Sequence, residues 1–380
     1  MSNDSLPTSA VPRVAFAFIT PTVTPAVIRC IACSAVTLKL TFALLFSFIV
    51  VIGVCGNAFV GFVILSDRKL LQSSINLFLL NLALADLGNL VFVTPDIAQV
   101  LLDEGWILPA VLCPLIRFFQ EYFLYASVLM QMSIGIERFM AICNPLRMQR
   151  FSRRTSFYVL FFVWAIACGF ALPYLLYQRI LRRDAISFCF WENISGKTKM
   201  MFKYAECCIL YFVPLLLLTV LYTIMGRVLW GTKRANIANE TQQVQILKLR
   251  RSVVKMLIIS MLLYFICYSP IQGIFVVETI LHHRVHISQG LRLTLNALSF
   301  SSSAANPIVY ICCCRHFRKR FIQLVRPLLV MIYPDENSRY AVINADDNVT
   351  RALSRSQFVS FRKISSKDFS TQQPKLSFAK

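Results

Sequence analysis

Six carboxylates interrupt stretches that are otherwise apolar: Asp86, Asp96, Glu121, Glu137, Glu206 and Glu278. A carboxylate in such surroundings is costly unless it is paired, hydrogen-bonded or in use. Arg138 stands beside Glu137, where it can pair locally. Asp86 reads either as functional or as satisfied by interhelical hydrogen bonds alone, and for Asp96, Glu121, Glu206 and Glu278 two readings stay open. They reach water or pair with Arg117, Lys203 or Arg292, or they attract a cationic group from outside the chain. Metal chemistry has little support. The chain has four histidines, and His282, His283 and His286 cluster with a spacing that could hold zinc on a helix. No cysteine or carboxylate motif stands beside them, so they read as a solvated loop, and no enzyme is indicated.

The elements that must position these residues are long and greasy. Of 380 residues 57% are apolar and 15% charged, with a mean hydropathy of +0.63, too apolar for a soluble chain of this length. The 12 Gly and 15 Pro argue against collagen, and 13 Cys are too sparse for a disulfide scaffold. Uncharged runs cover 40–66, 155–178, 207–226, 256–277 and 293–314, while 70–102 and 105–136 carry two charges each. A bilayer span needs about 20 apolar residues. Seven segments qualify, and unbroken apolar runs specify helices rather than an alternating membrane barrel. The expected fold is an all-α membrane protein, a seven-helix bundle.

The net charge of +21 then has a direction. With the C-terminus inside, the inner segments hold 26 Lys/Arg against 7 acidic residues, and the outer segments 10 against 5. The positive-inside rule places the N-terminus outside. Nucleic acid, the usual partner of so basic a chain, is excluded because the charges are confined to loops and tail. Residues 1–39 form an outer tail, 40–325 the membrane domain and 326–380 an inner tail whose polar composition favours disorder. No basic start followed by a long apolar core opens the first 25 residues, so no cleaved signal peptide is expected. Sequons at Asn3 and Asn193 face outward and can carry glycans; those at Asn239 and Asn348 cannot.

One landmark recurs in each run in a fixed order. They are Gly56-Asn57, Leu82-Ala83-Leu84-Ala85-Asp86, Glu137-Arg138-Phe139, Trp164, Pro214 with Tyr222, Cys267-Tyr268-Ser269-Pro270 and Asn306-Pro307-Ile308-Val309-Tyr310. Phe317 follows seven residues after Tyr310. Over residues 40 to about 325 the sequence resembles the rhodopsin-like (class A) G-protein-coupled receptors, which adds a short amphipathic eighth helix at Phe317. An internal repeat of the kind common in transporters is not found.

The resemblance implies roles. Asn57, Asp86, Ser127, Ser303 and Asn306 would form a polar network able to hold a sodium ion near Asp86, although Phe123, one turn before Ser127, offers no oxygen. Glu137 and Arg138 would form the resting switch, Tyr222 and Tyr310 would support the active arrangement, and Pro214, Pro270 and Pro307 would bend their helices. The acidic partner often found at the start of helix 6 is replaced by Lys248, Arg250, Arg251 and Lys255. The resting interhelical ion pair is therefore absent, and raised basal activity is expected. Tyr268 and Tyr264 stand where tryptophan and phenylalanine are usual, so the aromatic toggle gains a hydroxyl. The resemblance pairs Cys113 with Cys189. Cys30 and Cys33 remain open between free thiols and mutual or intermolecular bridges. Cys312, Cys313 and Cys314 are juxtamembrane and candidates for palmitoylation.

Two positions exclude familiar ligands. Gln120 replaces the aspartate of amine receptors, and Phe300 replaces the retinal-binding lysine of opsins. With a second outer loop of about 25 residues, Arg179 to Lys203, the chain looks most similar to neuropeptide receptors. The expected ligand is a peptide with a basic residue, received by Asp96, Gln120, Glu121, Glu206, Tyr268, Gln272 and Glu278. Receptors with such landmarks also bind lipids or small metabolites, and a seven-helix transporter is the alternative from another class. The expected partners are a heterotrimeric G protein and the lipid bilayer at the plasma membrane. Arrestin would join them, recruited by phosphorylation of tail serines such as Ser354, Ser356 and Ser360.

Overall fold

The computed structural model describes residues 25–102, 105–145, 152–183, 186–231, 241–279 and 288–332. Asn3, the three loop histidines and the tail serines lie outside them. In chain order the elements are α1 (Pro25–Leu65), α2 (Arg68–Leu71), α3 (Ser74–Leu102), α4 (Leu112–Cys143) and α5 (Arg153–Tyr177). A hairpin follows, β1 (Gln178–Arg183) and β2 (Ile186–Trp191), then α6 (Gly196–Gly231), α7 (Thr241–Thr279), α8 (Gln289–Cys313) and α9 (Arg315–Ile332). Serines cap the long helices. Ser152, Ser195 and Ser288 each accept from the backbone N–H three residues on, at 3.1 to 3.3 Å, satisfying a donor that the first turn leaves orphaned.

Six helices are long and apolar enough to cross a bilayer: α1 from Val36, then α3, α4, α5, α6 and α7. The seventh expected span, α8, meets that criterion only together with α9, from which it bends by 96°. The physical reason lies on its inner face. Ser299, Ser302, Ser303 and Asn306 are buried among neighbouring helices, so α8 carries polar groups that never meet lipid. Both ends of the bundle are more helical than the uncharged runs suggest. α1 is described from Pro25. α9 continues to Ile332 and takes in the first seven residues of the expected tail.

α3 packs against α1 and α4, α4 also against α5 and α6, and α8 against α1 and α7. Small residues permit the closest approaches. A Cβ on Gly56 would stand 2.8 Å from the Pro307 ring, and one on Gly88 would stand 2.4 Å from the ring of Phe123. The apolar surface is inverted relative to a soluble protein. Phe48, Phe62, Phe161, Phe162 and Leu216 are all exposed on the outside of the bundle, as lipid contact requires.

Candidate functional site

Asp86 sits on α3 with no exposed surface, and its two oxygens are shared between neighbouring helices. Ser127 Oγ of α4 donates to one at 2.8 Å, and Asn306 Nδ2 of α8 donates to the other at 2.7 Å. Ser303 Oγ accepts from Asn89 at 3.3 Å, and Asn57 of α1 donates to the Ser303 carbonyl at 3.1 Å. The five residues expected here are therefore brought together, with Asn89 as an addition. Asp86, Ser127 and Ser303 offer the oxygens that a hard cation takes. Asn57 Oδ1 is buried without a donor, so this side of the network has acceptor capacity left over. Phe123 packs its ring on Gly88 and contributes carbon alone.

At the far end of α4, Arg138 donates from Nη2 to Glu137 at 2.7 Å and from Nε to its other oxygen at 2.5 Å. Glu137 is buried, so this pair is shielded from water. No acidic group of α7 faces it. Arg250 instead lies within electrostatic reach of Arg138, a like charge where an interhelical ion pair would need an opposite one. The neighbouring Arg251 turns the other way, toward the end of α6. Its Nε and Nη2 both donate to the Leu229 carbonyl, at 3.0 and 2.6 Å, and its guanidinium lies 5.8 Å from the Trp230 ring. Ser252 Oγ donates to the Cys313 carbonyl at 2.6 Å, tying α7 to α8 as well. Tyr222 and Tyr310 are both buried in the same half of the bundle, and the Tyr310 ring lies 5.9 Å from Phe317 of α9.

A proline inside a helix leaves the carbonyl four residues earlier without its donor. For Pro307 that carbonyl is Ser303, which Asn57 caps. For Pro214 it is Leu210, and the Tyr264 hydroxyl of α7 reaches it at 3.4 Å. The hydroxyl that distinguishes Tyr264 from phenylalanine thus has a partner created by the proline on the next helix. Just before Pro214, α6 contains a π turn at Cys208–Phe212, closed by the Val213 N–H on the Cys208 carbonyl. Tyr211, within that turn, shares a 2.5 Å hydrogen bond with Ser269, the residue before Pro270. Tyr268 stacks on Tyr264 at 4.9 Å. Trp164 of α5 donates to Asn81 of α3 at 3.0 Å.

On the hairpin side the expected ligand residues do not form one cluster. Asp96 is paired with Arg117, which also reaches Gln120 at 3.4 Å. Glu206 is paired with Lys203 at 2.7 Å and accepts from the hydroxyls of Tyr125 and Tyr174. Glu278 is exposed near the end of α7 and joins neither pair. Arg292 is likewise exposed. Gln272 and Tyr268 line α7, half-buried and buried respectively. Glu121 remains. It is half-buried on α4, within electrostatic reach of Glu206, Lys203 and Arg117, yet no cation stands within 4 Å of it among the described residues. Phe300, on α8, packs toward Phe46 at 6.5 Å.

The hairpin lies against this region. β1 and β2 pair antiparallel with Gln178 opposite Trp191 and Ile180 opposite Cys189. A disulfide joins Cys189 to Cys113 at the start of α4, with Cα atoms 5.7 Å apart. Trp106, which motif reading passed over, packs on this bridge, and its backbone N–H donates to Ser187 at 2.6 Å. Asn193, just past β2, is exposed with a positive φ of 58°, a turn conformation that asparagine tolerates. Cys312 is exposed, Cys313 half-buried, and Cys314 packs 3.2 Å from the Met256 sulfur.

Comparison with known proteins places this geometry in context. The model for the 7 transmembrane receptor (rhodopsin family) matches residues 56–310. Neuropeptide receptor 15 of Caenorhabditis elegans is 34% identical over 311 residues, covering 75% of this chain and 90% of that protein. Galanin receptor 2a of Danio rerio is 29% identical over 286 residues, 73% of this chain and 76% of its own. Tachykinin-like peptides receptor 86C of Drosophila melanogaster is 26% identical over 348 residues, 84% and 66% respectively. With the ordered landmarks converging on one helical bundle, the chain belongs to the rhodopsin family of seven-transmembrane receptors and is a receptor, not an enzyme.

Proposed function

We propose that the chain is a plasma-membrane receptor for an extracellular peptide with a basic residue, and that it passes the signal to a heterotrimeric G protein. The peptide class is supported by relatives named for neuropeptide and peptide ligands. The observation that carries the basic residue is Glu121, a carboxylate inside the bundle whose acidic neighbours have cations while it has none among the described residues. Water is scarce there, so a guanidinium or ammonium from the ligand gains more than it would at the surface. Gln120, Tyr268 and Gln272 supply further polar contacts. Asp96 and Glu206 serve to build the pocket rather than to meet the ligand.

In this reading the N-terminus and hairpin face outward, with glycans at Asn3 and Asn193, and the Cys113–Cys189 bridge holds the hairpin over the pocket mouth. The Arg138 end and α9 face the cytosol, where Arg315, Arg318, Lys319 and Arg320 meet anionic lipid. Among the three juxtamembrane cysteines, exposure favours acylation at Cys312. Arrestin engages the phosphorylated tail. A sodium ion, held by Asp86 with Ser127 and Ser303, would neutralise a buried carboxylate in the resting state.

The test is a screen of endogenous peptides on cells expressing the chain, read by a promiscuous calcium reporter and confirmed by nucleotide exchange on the G protein. An activating basic peptide should lose more than tenfold in potency on Glu121→Lys at equal surface expression. Activation only by neutral ligands, or indifference to Glu121→Lys, would refute the reading.

A further inference from the structure

Lys203 meets three residues at once. Its Nζ lies 2.7 Å from Glu206 Oε2, donates to the Tyr174 hydroxyl, and stands 4.9 and 5.9 Å from the ring centroids of Tyr174 and Trp191. Glu206 Oε1 accepts from Tyr174 at 2.8 Å and from Tyr125. Tyr174 directs its single hydroxyl proton to Glu206, and Tyr125 directs its own to Glu206 while standing within reach of Glu121, one helical turn before it. Glu121 itself has no cation within 4 Å among the described residues. Arg117, the other nearby cation, is engaged by Asp96. Among the described residues this cluster therefore joins three carboxylates, Asp96, Glu121 and Glu206, with two cations, Arg117 and Lys203.

We propose that Lys203 is a built-in counter-cation that limits this pocket to one positively charged ligand group, accepted at Glu121, and that it excludes ligands presenting two adjacent cations. The inference rests on the reading of Glu121 as the ligand anchor and adds a specificity determinant to it. A second ligand cation aimed at Glu206 would meet the Lys203 ammonium, already placed and already hydrogen-bonded. Without Lys203, Glu121 and Glu206 become a two-carboxylate site suited to a dication.

The test uses the purified full-length receptor and two small probes, n-butylguanidinium with one charge and agmatine with two, titrated by thermal unfolding. In the natural protein agmatine should bind no tighter than n-butylguanidinium, and Glu121→Gln should abolish the response to both. Lys203→Met should make agmatine at least tenfold tighter than n-butylguanidinium. Lys203→Gln, which removes the charge but keeps a donor for Glu206 and Tyr174, should give the same gain if the methionine variant does not fold, and the double variant Lys203→Met with Glu206→Gln should return to the natural ratio. An unchanged ratio in Lys203→Met, or an agmatine gain in the double variant, overturns the role of Lys203 while leaving the anchor standing. Persistence of both responses in Glu121→Gln, or the absence of any response in the natural protein, overturns the anchor itself and the inference with it.

Discussion

The Arg251 guanidinium donates two hydrogen bonds to one backbone oxygen, the carbonyl of Leu229, and so fastens the start of α7 to the end of α6. Leu229 is buried, which keeps water from competing for that oxygen. The clamp sits one residue from Arg250, whose charge opposes Arg138. Two neighbouring arginines thus act in opposite senses, one resisting close approach of α4 and α7, the other holding α7 against α6.

Removing the clamp should release α7. Arg251→Ala is expected to raise ligand-independent nucleotide exchange, since charged hydrogen bonds of this kind contribute about 2 kcal/mol and so shift a two-state balance on the order of tenfold. Arg251→Lys, which lacks the fork that meets one oxygen twice, should fall between. Exchange measured at matched surface expression decides the matter; no rise in the alanine variant would mean that the clamp does not restrain the resting state.

Tyr264→Phe deletes the hydroxyl that reaches the Leu210 carbonyl, whose partner four residues on, Pro214, has no N–H to give. A buried carbonyl left unpaired costs about 1–3 kcal/mol. The melting temperature of the purified receptor should fall, whereas Phe265→Leu, which alters packing and no hydrogen bond, should leave the π turn in place. Equal stability of Tyr264→Phe and the natural protein would show that the carbonyl finds another partner.

Loss of the disulfide should be felt at the pocket mouth and in stability together. The bridge closes a separation of 76 residues, for which the chain-entropy description gives about 4.5 kcal/mol. Cys113→Ser is expected to unfold at markedly lower temperature and to bind the activating ligand more weakly, with Cys189→Ser equivalent and the double variant no worse than either. Additive losses would indicate that each cysteine has a separate role.

Replacing the buried carboxylate of Asp86 by an amide tests the ion site. In Asp86→Asn the hydrogen bonds to Ser127 and Asn306 can be rearranged, yet the negative charge is gone. Agonist affinity measured in sodium chloride against choline chloride should differ in the natural protein and become equal in the variant. A natural protein insensitive to the exchange of salts would indicate that the network operates without the ion.

Much of this architecture could be read from gaps between charges, because a bilayer tolerates few ionised groups and the chain obeys that limit in seven places. The polar network was equally legible: Asn57, Asp86, Ser127, Ser303 and Asn306 meet around one carboxylate. The capping of Leu210 by Tyr264 could have been found by counting four residues back from Pro214 and asking which nearby hydroxyl was unexplained. Pairing was less accessible. Asp96 and Arg117 are 21 residues apart, and only the packing of α3 on α4 brings them into contact while Glu278 goes to solvent. Lys203 and Glu206, three apart on one helix, were within reach of local reasoning; that Tyr125 and Tyr174 would converge on them was not. Nor does any residue in Cys208–Phe212 announce a wider turn.

That wider turn has a consequence for how the receptor can change over generations. An added residue per turn rotates everything before it by about 100° relative to a regular helix. Glu206 and Lys203 precede the turn, so their azimuth toward Tyr125 depends on it. Loss of one residue between 208 and 212 would swing both charges to another face of α6 without altering span length or hydropathy. The electrostatic sign of the pocket can thus be rewritten by a slip in helical phase, a route to new ligand preference that requires no change in any charged residue.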